Sequence, residues 1–210
     1  MSQDTSEKRR VHAILPYARE ATGKITQAHA YVLSALIITG LGIYHWFYEG
    51  WRENIIFAAS ITAALIAALT FATRRLLMSA ATVAAIVVMI IVAADVKRRY
   101  IEMVLHAYDV VFYLTSWATI RFLWVDHRAY LIAIAVSFIL TALLARALYN
   151  WDSTRISRTL SGGLVVIFSC LALWASHAKG ERRNTLFYWD NLYLSSFYAS
   201  WSETFETLMK

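Results

Sequence analysis

Cysteine is nearly absent from this 210-residue chain, and the single Cys170 lies inside an apolar run. No disulfide framework, CxxC motif or mixed Cys/His zinc pattern can be assembled from one thiol. Charge is sparse as well, at 16% of residues, proline occurs once, and mean hydropathy is +0.49 with 59% hydrophobic residues. That balance excludes a soluble globular domain. No Gly-rich phosphate loop, HExxH or GxSxG motif occurs. The only glycine pair, Gly162 and Gly163, stands near the start of an apolar run, where close helix packing accounts for it. The net charge of +6 is spread over the chain without a recognised nucleic-acid motif, so nucleic acid is set aside as a partner.

What is present is a set of long apolar runs, at residues 31–48, 54–73, 76–96, 129–149 and 159–178. A hydrocarbon core of ~30 Å needs roughly 20 apolar residues in a helix. The runs are too long and too evenly apolar for barrel strands. The sequence therefore predicts an all-α, polytopic membrane protein with five transmembrane helices and additional interfacial amphipathic helices. Three regions follow: a polar segment 1–29, a transmembrane domain 30–178 containing an interfacial segment 97–128, and an aromatic amphipathic arm 179–210.

Lys8, Arg9, Arg10, Arg19 and Lys24 outweigh Asp4, Glu7 and Glu20 before the first run, which reads as a cytoplasmic N-terminus and a retained anchor rather than a cleaved signal. With five spans, ten Lys and Arg fall on each side of the membrane, so the positive-inside count is tied and only the first flank orients the chain. Arg74 and Arg75 nearly alone separate the second and third runs, predicting a tight antiparallel hairpin. Ala59, Ala63 and Ala67 on one side and Ala81 and Ala85 on the other have the small-residue spacing that lets helices approach in lipid.

Residues 97–128 are apolar but interrupted. A span through 104–125 would place Asp109 and Arg121 at hydrocarbon depth, at ~2.5–3.5 kcal/mol each. Short helices at the membrane surface avoid that cost, with a sixth span as the alternative. Phe112, Tyr113, Trp117, Phe122 and Trp124 are types that settle at headgroup level. Arg98, Arg99, His106, Asp109, Arg121 and Arg128 are the candidate lipid-headgroup contacts, with Lys97 completing a basic rim suited to anionic phospholipid, and helix-end snorkelling as the competing reading. His106 and Asp109, three apart, share a helix face, as a hydrogen-bonded pair or a sharper acid–base pair. In the arm, Trp189, Tyr193, Phe197, Trp201 and Phe205 recur every four residues along a drifting helical face, a surface for the membrane or a partner. His45, His106, His127 and His177 gather toward one side. Bis-histidine haem ligation is a weaker reading, since haem ligands sit inside spans and these sit at their ends.

The segment HAYDVVFYLTSW at 106–117, followed by two further runs and the tail ERRNTLFYWDNLYLSSFYASWSETFETL, resembles the membrane portion of the sulfatase-like phosphoglycerol and phosphoethanolamine transferases, the lipoteichoic acid synthase type. The likeness covers the chain from about residue 30 onward. It implies a five-span anchor in a bacterial cytoplasmic membrane, interfacial helices between spans three and four, and a linker helix leading to an extracytoplasmic domain with a Thr nucleophile and a manganese or magnesium ion. None of that domain's catalytic or metal residues can be assigned here, and the chain itself carries no cofactor site in this reading. The alternative is a non-catalytic accessory or assembly subunit of a larger membrane complex.

Overall fold

The computed structural model describes residues 26–102, 105–113, 115–126, 128–178 and 193–209. Among them it contains helices and no strand. They are α1 (Gln27–Tyr48), α2 (Arg52–Thr73), α3 (Leu76–Ile101), a π-helical turn at Asp109–Tyr113, α4 (Trp117–Asp126), α5 (Arg128–Trp151), α6 (Arg158–Ala178) and α7 (Tyr193–Leu208). The fold is all-α, as the apolar runs require. α1, α2, α3, α5 and α6 are each long and apolar enough to cross a membrane. Their 21 to 26 residues, at 1.5 Å rise, cover about 31–39 Å. Between α3 and α5 the described helices have 5 and 10 residues, too short for a sixth span.

Side-chain hydroxyls inside the helices satisfy themselves locally, as a lipid environment demands. Ser34 donates to the Ala30 carbonyl, Thr70 to Ile66, Thr141 to Ser137 and Ser161 to Ser157. Facing outward are large apolar groups: Trp46, Phe47, Phe138, Ile139, Val166 and Trp174 are all more than half exposed. In water such a surface would drive aggregation; in lipid it is the solvated face. α5 carries no buried residue at all and lies at the edge of the bundle against α3 and α4.

The connection from α2 to α3 has the expected brevity. Arg74 turns the chain in the left-handed region at φ 62°, with its N–H on the Thr70 carbonyl, and Arg75 is extended before α3 begins. Its packing differs from the Ala-stripe expectation. The most extensive contact of α2 is with α6, not α3. Ala67 is buried, but Ala81 and Ala85 stay half-buried while Ala80, Val83 and Val87 form the core face of α3. Gly162 faces Phe71 in this contact, and a Cβ there would meet the ring at 3.4 Å, an ordinary van der Waals distance. Phe57 and Ala172 with Ala175 close the other end of the same antiparallel pair.

At the end of the bundle holding the α2–α3 turn, the 152–157 loop caps α3. Asp152 Oδ2 accepts the Met78 N–H at 3.0 Å, Oδ1 accepts both the N–H and hydroxyl of Thr154 at 2.7 Å, and Thr154 Oγ1 accepts the Leu76 N–H at 2.8 Å. The Ile156 N–H reaches the Arg74 carbonyl, and the Arg75 guanidinium lies over the Tyr149 ring. Buried Asp152 thus meets the positive end of a helix dipole and uses both its oxygens. The opposite end, where α1 turns into α2 through Gly50 at φ 68°, holds α7. Only glycine takes that conformation without strain.

Candidate functional site: the seat of the C-terminal helix

α7 is pinned by three elements within seven residues. The first pin is Glu49, just past α1, which is fully buried; its two carboxylate oxygens accept the N–H groups of Leu194 and Ser195 at 3.2 and 3.1 Å. A carboxylate at a helix N-terminus satisfies orphan donors and opposes the helix dipole.

The second pin is a side-chain chain across three helices. Thr62 on α2 donates its only proton to the Ala58 carbonyl at 2.9 Å. Its oxygen therefore accepts from the other two neighbours, His45 Nε2 at 3.1 Å and the Tyr198 hydroxyl at 3.3 Å. That fixes the imidazole as the Nε2–H tautomer and leaves Nδ1 as a bare acceptor. Burial raises the Tyr198 pKa above its ordinary value of 10.0, the Thr62 hydrogen bond pulls it back, and the Glu49 charge raises it further. The phenol stays a neutral donor.

The third pin is the 105–109 turn. The Ala107 N–H donates to Ser200 Oγ at 2.7 Å, while Ser200 donates to the Phe197 carbonyl at 2.8 Å. Asp109 organises this turn, its Oδ2 accepting the His106 N–H at 2.7 Å and the Lys97 ammonium at 2.6 Å. The Lys97 cation also lies over the Tyr108 ring, which stacks on the His106 imidazole.

The sequence-predicted residues are divided by this geometry. His106 and Asp109 are buried beneath α7 rather than displayed to headgroups. Their carboxylate–imidazole approach is 4.0 Å, longer than a hydrogen bond. Arg99 pairs with Asp95 at 2.8 Å on the surface, Arg98 is half-buried, and Arg121 and Arg128 are exposed. In the aromatic row, Phe197 is buried, Trp201 is half-buried and Phe205 is exposed, each ring touching the next at 6.0 and 5.7 Å. Trp189 and the Tyr193 side chain lie outside what is described, as does His127. His45 is engaged with Thr62 and His177 is exposed. No group of three His, Cys, Asp or Glu with metal-binding geometry occurs among the described residues.

Sequence reasoning missed Glu49, Thr62, Lys97 as a partner of Asp109, and the small polar row Ser196, Ser200 and Thr204. The last was visible as a four-residue spacing one position behind the aromatic row. Its members are buried while the aromatic row swings outward. Comparison with family models, curated proteins and solved structures gave no match.

Proposed function

We propose that this chain is the membrane anchor of a phospholipid headgroup transferase of the phosphoglycerol or phosphoethanolamine type, and that it does not perform the transfer by its own residues. The observation that carries the reading is the bond from the Ala107 N–H to Ser200 Oγ at 2.7 Å. It joins the two segments in which the resemblance lies, the HAYD turn and the aromatic tail, into one surface at one end of the bundle. A helix held there from three sides places a mount for an extracytoplasmic catalytic domain at that end of the bundle. The reading puts the chain in a bacterial inner membrane with a cytoplasmic N-terminus and α7 on the outer face. Exposed Arg121 and Arg128 would then attract anionic phospholipid near the surface, at ~1 kcal/mol per charge. Manganese or magnesium chemistry would belong to the mounted domain.

A second reading, an accessory subunit of a larger membrane complex, is favoured by α5, whose apolar surface contributes no buried residue to the bundle. The two are separated by the mass of the endogenous protein, detected in native membranes with an antibody against α7. A species tens of kilodaltons heavier than 23.9 kDa, releasing diacylglycerol from phosphatidylglycerol or phosphatidylethanolamine in a manganese-dependent assay, supports the anchor. A native mass near 23.9 kDa overturns it.

A further inference from the structure

Away from α7, several buried polar groups among the described residues are bonded. Ser34, Thr70, Ser79 and Ser161 donate to backbone carbonyls, and Asp152 and Thr154 complete each other while capping α3. Around α7 the pattern changes. Ser195 Oγ and Ser196 Oγ on the helix, His45 Nδ1 on α1, Asn54 Oδ1 on α2 and Asp109 Oδ1 in the turn gripped by Ser200 have no hydrogen-bond partner among the described residues. All five residues are more than nine-tenths buried.

Asn54 belongs to the same contact. Asn54, Ala58 and Thr62, four residues apart, share one face of α2. Ala58 lies in the apolar cluster that contains Leu194, and Thr62 bonds Tyr198. The five atoms therefore gather at the junction of α7 with α1, α2 and the 105–109 turn.

A buried polar atom without a partner destabilises the closed arrangement relative to one that water can reach. Because these atoms share a single contact, their penalty falls on a single motion. Lifting α7 hydrates all five at once, against the loss of its three pins and the apolar contacts of Leu194. We propose that α7 is a reversibly seated plug, which lifts from a polar seat formed by His45, Asn54, Thr62 and the 105–109 turn and admits water to it. The mobile element is thus α7, and the bundle beneath it stays closed at its other end.

The test is amide hydrogen exchange of the full chain in lipid nanodiscs, read by mass spectrometry on peptides from α7 and from the middle of α2. A plug predicts that residues 195–204 exchange through reversible opening at least about 100-fold faster than residues 62–70. Replacing the unpartnered hydroxyls, Ser195→Ala with Ser196→Ala, is expected to slow α7 exchange about tenfold and leave α2 unchanged. Should α2 lose protection in that variant, the fold has been disturbed, and Asn54→Leu provides the same comparison from the seat side. Equal protection of α7 and α2 in the unmodified protein overturns the proposal, because internal water then satisfies a permanently seated helix. So does exchange that is unchanged or faster in the well-folded variants. The measurement involves neither catalysis nor a partner, so its outcome is separate from that of the anchor reading.

Discussion

Glu49→Gln isolates the charge at the N-terminus of α7 with almost no change in shape. In the native protein two carboxylate oxygens accept two backbone N–H groups at 3.2 and 3.1 Å in a fully buried site. The amide keeps one acceptor and turns its NH2 toward the other donor. One buried N–H is then left without a partner, at about 1–3 kcal/mol. The charge–dipole attraction at a buried helix terminus adds about 1–2 kcal/mol. The sum is roughly 2–5 kcal/mol, and at about 2–4 °C per kcal/mol for a chain of this size it lowers the thermal midpoint by about 4–20 °C. Near-UV circular dichroism in detergent micelles reports it, since Trp201 and Tyr198 belong to the affected helix. Glu102→Gln, at an exposed position, is the control and is expected to shift the midpoint by under about 2 °C. If Glu49→Gln melts within the same margin, the carboxylate does not hold α7 and the reasoning fails.

Lys97→Met removes the ammonium from a carboxylate that is 7% exposed, and leaving that charge buried is expected to destabilise the protein by about 3–5 kcal/mol; the double variant Lys97→Met with Asp109→Asn recovers part of this in the same melting assay, and equal loss in both refutes the pairing. Asp152→Ala strips α3 of its cap and Thr154 of its acceptor, with an expected loss of about 2–4 kcal/mol, whereas Asp152→Asn keeps one acceptor and loses about half as much; indistinguishable unfolding of the two in graded SDS contradicts the role of the second oxygen. Glu102 sits at φ 58°, so Glu102→Gly relieves left-handed strain and is expected to stabilise by about 0.5–1 kcal/mol, where any destabilisation in the melting curve counts against the assigned geometry.

The spanning helices were legible because a lipid core imposes one rule on every residue of a segment: twenty apolar positions read the same wherever they pack. Their pairing was not legible. The two-residue Arg74–Arg75 turn predicts neighbours, yet α2 packs mainly on α6, because a tight turn constrains only the ends of the helices it joins. In the tail the aromatic row stood out by size, while the smaller Ser196, Ser200 and Thr204 row is the one that is buried. The decisive caps were hidden by distance along the chain: Glu49 meets Ser195 across 146 residues and Asp152 meets Met78 across 74. A lone acid beside an apolar run has no local signature that tells a cap from a solvated turn. His106 and Asp109 read as surface groups because a span through 104–125 would carry Asp109 and Arg121 to hydrocarbon depth, and the turn that folds Lys97 onto Asp109 is a tertiary event.

The partnership of α2 with α6 also sets a timetable. Thr73 ends α2 and Ala178 ends α6, so at about 5–20 residues per second a ribosome needs roughly 5–21 s to deliver the partner after α2 is complete. Throughout that interval the N-terminus of α3 lacks its Asp152 cap, and α2 shows lipid or the insertion machinery the face that α6 later covers. α7 follows α6 in the chain, so its seat stays open until Leu208 has been made. The first helices of this protein enter the bilayer as an unfinished surface, and the bundle closes only once α6 and α7 have been made.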